Sequence, residues 1–243
     1  MGLKAYLNAA LRDEWDGLER ITRDIRPADV VTMSNAVVGL IAILVAREDP
    51  TLAGILILVG ILLDGADGAV ARLGGGGGPL GGFLDALSDV VTFAVAPAVL
   101  LASVEFQPAT VAVGAFFLVA VTLRLARFEA LRETKDSRYF SGLSSPGGAL
   151  LIVSAVLLRL DVTWLLAVGA VSGLLMISRI RYPKLRGWLG IVAVLLILAT
   201  VIGHIVDSGD IPVWGMLGFM AFYVLAGPFY VLARIGPTHL ETS

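Results

Sequence analysis

Residues 64–89 read DGADGAVARLGGGGGPLGGFLDALSD, and this polar stretch lies between two long apolar runs of the chain. It holds four aspartates in two pairs. Asp64 and Asp67 are three residues apart and Asp85 and Asp89 are four apart, so each pair would share one face of a helix. The glycines and proline between the pairs are poor helix formers. The sequence therefore predicts a helical hairpin that brings four carboxylates together.

Clustered acids beside apolar segments need a compensating interaction. A charge inside a transmembrane segment costs roughly 2.5–3.5 kcal/mol on insertion scales. Hard divalent cations prefer oxygen ligands, so we interpret Asp64, Asp67, Asp85 and Asp89 as a site for Mg²⁺ or Mn²⁺. Two such ions could clamp a diphosphate and orient an attacking hydroxyl group.

The composition is that of a membrane protein. Of 243 residues, 57% are hydrophobic and only 16% are charged, against about 25% in soluble domains. The chain has no cysteine, which excludes disulfides and thiolate metal sites, and its two histidines make a histidine-based zinc site a poor prediction. We expect an all-α polytopic membrane protein.

Eight apolar segments follow an N-terminal polar region. Residues 3–25 have the apolar periodicity of an amphipathic helix at the membrane surface, although a short soluble helix packed on cytosolic loops would show the same pattern. We divide the chain into this juxtamembrane helix (1–27), one transmembrane domain (28–236) and a tail (237–243). The predicted transmembrane helices are 29–46, 51–72, 82–104, 107–127, 147–160, 162–178, 188–206 and 211–234, the fifth of which is short for a separate crossing.

The distribution of basic residues predicts the orientation. With eight crossings and a cytosolic N-terminus, all but Arg47 and Arg159 of the 18 lysines and arginines would lie on the cytosolic side. Both termini and the hairpin at 72–81 would then face the cytosol, in the cytoplasmic membrane.

The aspartate stretch also fits a known signature. It reads D-x2-D-G-x2-A-R-x8-G-x3-D-x3-D, and it resembles the motif of the CDP-alcohol phosphotransferase family of integral membrane enzymes. Every specified position is matched, by Asp64, Asp67, Gly68, Ala71, Arg72, Gly81, Asp85 and Asp89. The resemblance implies a six-helix core, here with two further helices, and a homodimer.

The same resemblance implies roles for these residues. Asp64, Asp67 and Asp85 would bind metal, and Asp89 would be both a ligand and the general base that accepts a proton from the incoming alcohol while CMP leaves. The remaining signature residues would bind the CDP group. Small side chains at Gly68, Ala71 and Gly81 would allow close approach, and Arg72 would contact a phosphate or the cytosine carbonyl. Simple helix packing is the alternative for the small residues.

Thr32 and Asn35 are polar residues three apart in the first apolar segment. The family often shows a similar pair there, which makes both candidates for CDP binding. A hydrogen bond between helices explains them equally well.

Residues 123–149, LRLARFEALRETKDSRYFSGLSSPGGA, bear on the acceptor alcohol. They resemble the phosphatidylserine synthase branch of the family, through Leu125-Ala126-Arg127-Phe128, Gly142-Leu143 and Pro146. Two positions depart from that pattern, with Glu129 where asparagine is usual and Ser144 in place of a proline. Because arginine binds carboxylates well, we expect Arg124 or Arg127 to bind the serine carboxylate or the lipid phosphate. Anchoring of the helix end at the cytosolic surface is the alternative.

The resulting hypothesis is an enzyme that transfers a phosphatidyl-type group from CDP-diacylglycerol or CDP-archaeol to L-serine and releases CMP. Its partners would be these lipids and the surrounding membrane, with no nucleic acid. A related enzyme acting on glycerol 3-phosphate or an inositol phosphate remains open. A divalent-cation transporter is the alternative from another class, since intramembrane carboxylates also serve ion pathways.

Overall fold

The computed structural model describes most of the transmembrane region and its connections. The described residues are 26–73, 81–130, 139–184, 187–206 and 209–235. The predicted amphipathic helix at 3–25, the glycine-rich turn and the tail at 237–243 lie outside them.

Eight helices and two short strands make up the described part of the chain. The helices are Pro27–Val45 (α1), Pro50–Leu73 (α2), Gly81–Val104 (α3), Pro108–Ala130 (α4), Ser145–Leu157 (α5), Val162–Ile177 (α6), Trp188–Ile205 (α7) and Ile211–Ile235 (α8); the strands are Tyr139–Ser141 (β1) and Arg181–Pro183 (β2). Each predicted apolar segment forms one helix, which confirms the helical fold.

Six of these helices are long and apolar enough to cross a membrane, namely α1, α2, α3, α4, α7 and α8. The protein is therefore an integral, multi-pass membrane protein. Large apolar side chains on α7, including Trp188, Ile191 and Leu195, are exposed on the protein surface, as expected for a helix that faces lipid. The orientation of the helices across the membrane stays a prediction.

Helices α5 and α6 are shorter, with 13 and 16 residues. At 1.5 Å per residue, α5 extends over only about 20 Å. Nearly all of its side chains are buried, in contrast to those of the peripheral α7. The fifth apolar segment, which is short in the sequence, therefore forms a helix that is enclosed by the rest of the protein.

Hydroxyl groups on α3 fix its position against α1. Ser88 donates a hydrogen bond to the carbonyl oxygen of Thr32 at 2.8 Å, and Thr92 donates to that of Asn35 at 3.0 Å. Gly60 of α2 packs against the same place, where an added Cβ atom would collide with Thr92 and approach the Asn35 Oδ1 atom to 2.8 Å. Close contact of α1, α2 and α3 thus sets the two aspartate pairs against each other.

The interior of α3 contains one irregular turn. Residues Val90–Val95 are π-helical, directly after Asp89, and the regular helix resumes at Ala96 before Pro97. A π-helical turn inserts an extra residue into the helical repeat, and such turns are frequent at functional sites. In this protein the turn changes the direction of the side chains that follow Asp89.

The sequence analysis did not predict the two strands. They pair antiparallel, with Tyr139 opposite Pro183 and Ser141 opposite Arg181. Each strand has three residues, which is too short for a recognisable alternation of apolar and polar residues. Tyr223 of α8 donates a hydrogen bond to the carbonyl oxygen of Pro183 at 2.7 Å and so ties this small sheet to the helices.

Candidate functional site

Three of the four predicted carboxylates form one cluster. Asp64 and Asp67 lie near the end of α2 and Asp85 lies near the start of α3, and one oxygen atom from each falls within 4.8 Å of the others. The two helices therefore bring these three carboxylates together, as the sequence spacing predicts. Carboxylates this close repel one another strongly unless a cation lies among them.

Asp89 lies one turn beyond Asp85 and is 9% exposed. It lies near the carboxylates of Asp64 and Asp85 and the guanidinium group of Arg124, which line the same cavity. Its Oδ1 atom is buried and has no hydrogen-bond partner. Buried polar atoms are rarely left unsatisfied, so this oxygen is a candidate donor to an ion or a substrate.

These residues fit a divalent metal ion. The donors are all carboxylate oxygens, which are the ligands that Mg²⁺ and Mn²⁺ prefer. Asp64, Asp67 and Asp85 provide the cluster, and the unpaired oxygen of Asp89 provides a further donor at its edge.

Thr32 contacts this cluster. Its hydroxyl group donates a hydrogen bond to Asp67 Oδ2 at 2.6 Å and also lies 3.1 Å from the carbonyl oxygen of Ala28. In this structure Thr32 therefore forms a hydrogen bond between helices, which is the alternative to direct contact with the CDP group. Such a bond holds the Asp67 carboxylate in one orientation, as groups that support metal ligands do.

Asn35 lies one turn along α1 from Thr32. It is 1% exposed, and its side-chain Oδ1 atom has no hydrogen-bond partner. Its carbonyl oxygen accepts the hydrogen bond from Thr92. Asn35 therefore helps to join α1 to α3. Its side-chain oxygen lies beside Gly60 of α2, and Asn35 is not among the described residues that line the cavity, so the nucleotide contact stays a prediction.

The other signature residues lie at the same end of the bundle. Gly68 follows Asp67 on α2, and an added Cβ atom on Gly81 would come within 3.2 Å of Asp29 Oδ1. Ala71 and Arg72 belong to the last turn of α2, and their side chains lie outside the described part of the structure.

Asp29 is a further acid that the sequence analysis missed. It is buried near Asp67 and accepts a hydrogen bond from the main-chain N–H of Arg26 at 2.8 Å. Its position two residues after Pro27 identifies it as a helix-capping residue, which is the signal that could have drawn attention to it.

A cavity of about 470 Å³ adjoins the carboxylates. It is bordered by α2, α3, α4, α8, the start of α5 and the end of β2. Among the described residues, its charged lining is Asp64, Asp85, Asp89, Arg124, Glu129 and Lys184. Lys184 and Tyr223 were not predicted as site residues. They are far from the signature in sequence, and only the packing of β2 and α8 brings them to the cavity.

The structure distinguishes the two candidate arginines. Arg124 is 7% exposed, lines the cavity and donates a hydrogen bond to the Ser145 hydroxyl group at 2.8 Å. Arg127 instead donates to main-chain carbonyl groups, those of Ser141 at 2.9 Å and Met176 at 3.2 Å, and is not among the described residues that line the cavity. Arg127 thus joins β1 to the end of α6.

The fold and this site define a polytopic membrane protein with a carboxylate cluster beside a cavity. Comparison with known proteins gives the family. Residues 26–225 match the model of the CDP-alcohol phosphatidyltransferase family, and the chain belongs to that family. This agrees with the resemblance of the aspartate signature.

Several named relatives are similar over most of their length. The chain is 40% identical over 165 residues to the CDP-diacylglycerol--serine O-phosphatidyltransferase of Methanocaldococcus jannaschii, covering 68% of this chain and 77% of the relative. It is 38% identical over 177 residues to the archaetidylserine synthase of Methanothermobacter thermautotrophicus, covering 70% and 74%. A CDP-diacylglycerol--serine O-phosphatidyltransferase of Helicobacter pylori is 33% identical over 170 residues, covering 65% and 72%.

Proposed function

We propose that this protein transfers a phosphatidyl-type group from a CDP-activated lipid to the hydroxyl group of L-serine and releases CMP. The main support is the carboxylate cluster of Asp64, Asp67 and Asp85, which adjoins a cavity lined by Asp64, Asp85, Asp89 and Arg124. The names of the relatives support serine as the acceptor. They include both diacylglycerol and archaetidyl lipids, so both CDP-diacylglycerol and CDP-archaeol are candidate donors.

Four aspartates would carry out the reaction. Asp64, Asp67 and Asp85 would hold one or both of two divalent ions, and Asp89 would complete the ligand set. When bound, Mg²⁺ or Mn²⁺ would neutralise charge on the diphosphate of the CDP-lipid. These assignments rest on the clustered oxygens and on the unpaired Oδ1 atom of Asp89.

Asp89 would also act on the acceptor. Its carboxylate would take the proton of the serine hydroxyl group while the serine oxygen attacks the phosphorus atom attached to the lipid. The bond from that phosphorus to the CMP oxygen breaks, and CMP leaves with the electron pair. Burial of Asp89 in the cavity wall would orient the hydroxyl group toward the phosphorus.

The CDP group would bind at the same end of the bundle. Gly68, Ala71 and Gly81 would allow its close approach, and Arg72 would contact a phosphate or the cytosine carbonyl. Asn35 remains a candidate for the nucleotide contact, whereas Thr32 would contribute through its hydrogen bond to Asp67. We further propose that the site faces the cytosol and that the protein is a homodimer in the cytoplasmic membrane.

The alternatives receive less support. A transporter would not release CMP, and membership of a phosphatidyltransferase family favours an enzyme. Glycerol 3-phosphate and inositol phosphate are substrates of the same reaction type, but the names of the relatives favour serine.

The test is CMP release by the purified protein with CDP-lipid and Mg²⁺ or Mn²⁺. L-serine, glycerol 3-phosphate and inositol phosphate are added separately, with both ester and ether lipids. We expect release with serine and loss of that release with EDTA. Release with a phosphorylated acceptor alone would overturn the serine assignment. If no acceptor gave release, the proposal that this protein is a phosphatidyltransferase would fail.

A further inference from the structure

The cavity carries two charged residues that the proposed chemistry does not use. Glu129 lies near the end of α4, and Lys184 directly follows β2. They come from parts of the chain more than 50 residues apart, and both line the cavity that contains Asp89. This wall of the cavity therefore combines a carboxylate and an ammonium group.

The fold holds Glu129 in the cavity wall. Leu125, Phe128 and Glu129 have the i, i+3, i+4 spacing of one helix face, and all three line the cavity. Arg127, on another face of α4, is bonded to the carbonyl groups of Ser141 and Met176. These bonds fix the rotation of the helix end and so direct Glu129 toward the cavity.

The small sheet positions Lys184. Strand β2 pairs with β1, and the carbonyl oxygen of Pro183, next to Lys184, accepts the hydrogen bond from Tyr223. The backbone of α8 approaches closely at Gly227, where an added Cβ atom would lie 3.2 Å from Pro183 and from Tyr182. Lys184 thus directly follows a strand that is held both by β1 and by α8.

We infer that Glu129 and Lys184 recognise the two charged groups of an amino-acid acceptor. Glu129 accepts hydrogen bonds from the ammonium group of serine, and Lys184 donates hydrogen bonds to its carboxylate. Charge-assisted bonds of this kind are stronger than neutral ones. This inference rests on the proposed function. It adds two residues that determine acceptor specificity, and the serine hydroxyl group remains available to Asp89.

The arrangement also explains discrimination between acceptors. A zwitterion presents a cation to Glu129 and an anion to Lys184, so both residues contribute to its binding. Glycerol 3-phosphate has no cationic group, so Glu129 contributes nothing to its binding. Rejection of a competing acceptor then follows from the difference in binding free energy between the two acceptors.

The test combines removal of a charge from the protein with removal of its partner from the substrate. The variants are Glu129→Gln and Lys184→Gln, each compared with the wild type. The acceptors are L-serine, 3-hydroxypropionate, which lacks the ammonium group, and 2-aminoethanol, which lacks the carboxylate. The quantity measured is kcat/KM of CMP release, and an analogue that is not turned over is measured by its inhibition constant against serine.

The inference predicts that each variant loses activity with serine but keeps it with a different analogue. Glu129→Gln lowers kcat/KM for serine by about 10- to 100-fold and leaves 3-hydroxypropionate within about threefold of the wild-type value. Lys184→Gln lowers kcat/KM by a similar factor for both serine and 3-hydroxypropionate. The value of kcat/KM for 2-aminoethanol stays nearly unchanged. Binding of the CDP-lipid stays the same in both.

Equal losses for all three acceptors would overturn the inference, because a damaged fold or catalytic site would affect them alike. Unchanged serine kinetics would also overturn it. Arg181→Gln is the matched control. Arg181 is an exposed cation on β2, the strand that Lys184 directly follows. If the wild type fails to use serine at all, the proposed function fails; if it uses serine but the variants lack this selectivity, only the present inference fails.

Discussion

Thr32 and Asp67 are joined by a hydrogen bond of 2.6 Å between α1 and α2, across 35 residues of sequence. Asp67 belongs to the carboxylate cluster, so the bond connects the first helix to the candidate metal site. The Thr32 carbonyl oxygen also accepts a hydrogen bond from Ser88, the residue before Asp89. One residue of α1 is therefore in contact with both halves of the aspartate signature.

Replacing Thr32 by valine should weaken metal binding. Valine keeps the branched shape but cannot donate a hydrogen bond, so the Asp67 carboxylate loses its orientation. Removing such a supporting contact typically costs 10- to 100-fold in metal affinity or activity. We expect the Mg²⁺ or Mn²⁺ concentration for half-maximal CMP release to rise by about that factor, and Thr32→Ser to restore it.

The matched control is Ser34→Ala, which removes an exposed hydroxyl group on the same helix that bonds only to the Val30 carbonyl oxygen among the contacts described. An unchanged metal titration in Thr32→Val would show that the bond to Asp67 has no part in the site.

Asp89→Asn should abolish turnover while the protein still binds CDP-lipid. The amide cannot accept the proton of the acceptor, and general-base catalysis typically contributes 10²–10⁴-fold. The measurements are CMP release and CDP-lipid binding by calorimetry, with the exposed Glu48→Gln as control. Near-normal turnover would contradict the role of Asp89 as base.

Gly60→Val should destabilise the helix bundle. A side chain at Gly60 would collide with Thr92 and approach Asn35, whereas nothing lies within 4 Å of a Cβ atom at Gly65 on the same helix. Overpacking of this kind typically costs about 1–3 kcal/mol of unfolding free energy. Thermal unfolding in detergent should show a lowered midpoint for Gly60→Val and no loss for Gly65→Ala. Equal midpoints would contradict the close packing of α1, α2 and α3.

Arg124→Lys and Arg127→Lys should have different effects. Arg124 lines the cavity and bonds to Ser145, so its replacement should lower kcat/KM for serine by about 10-fold or more, because lysine does not reproduce the planar donors of arginine. Arg127 bonds to carbonyl groups between elements, so its replacement should lower the midpoint of thermal unfolding and leave kcat/KM within about threefold. Kinetic losses of the same size in both variants would contradict this separation.

Much of this protein could be predicted from local sequence patterns. The spacing of Asp64, Asp67 and Asp85 places carboxylates on helix faces, and the intervening glycines require a turn, so the cluster follows from neighbours in sequence. The eight helices follow equally from long apolar runs, because a membrane leaves few other ways to satisfy the backbone. These features depend on interactions within about 25 residues.

The tertiary structure decided what surrounds that cluster. Arg124 and Arg127 are equivalent in the sequence, yet one lines the cavity and the other bonds to the end of α6. Lys184 reaches the cavity only because β2 pairs with a distant strand and packs on α8. Such contacts join residues about 40 or more positions apart, and they depend on how all the helices pack, which no local periodicity records.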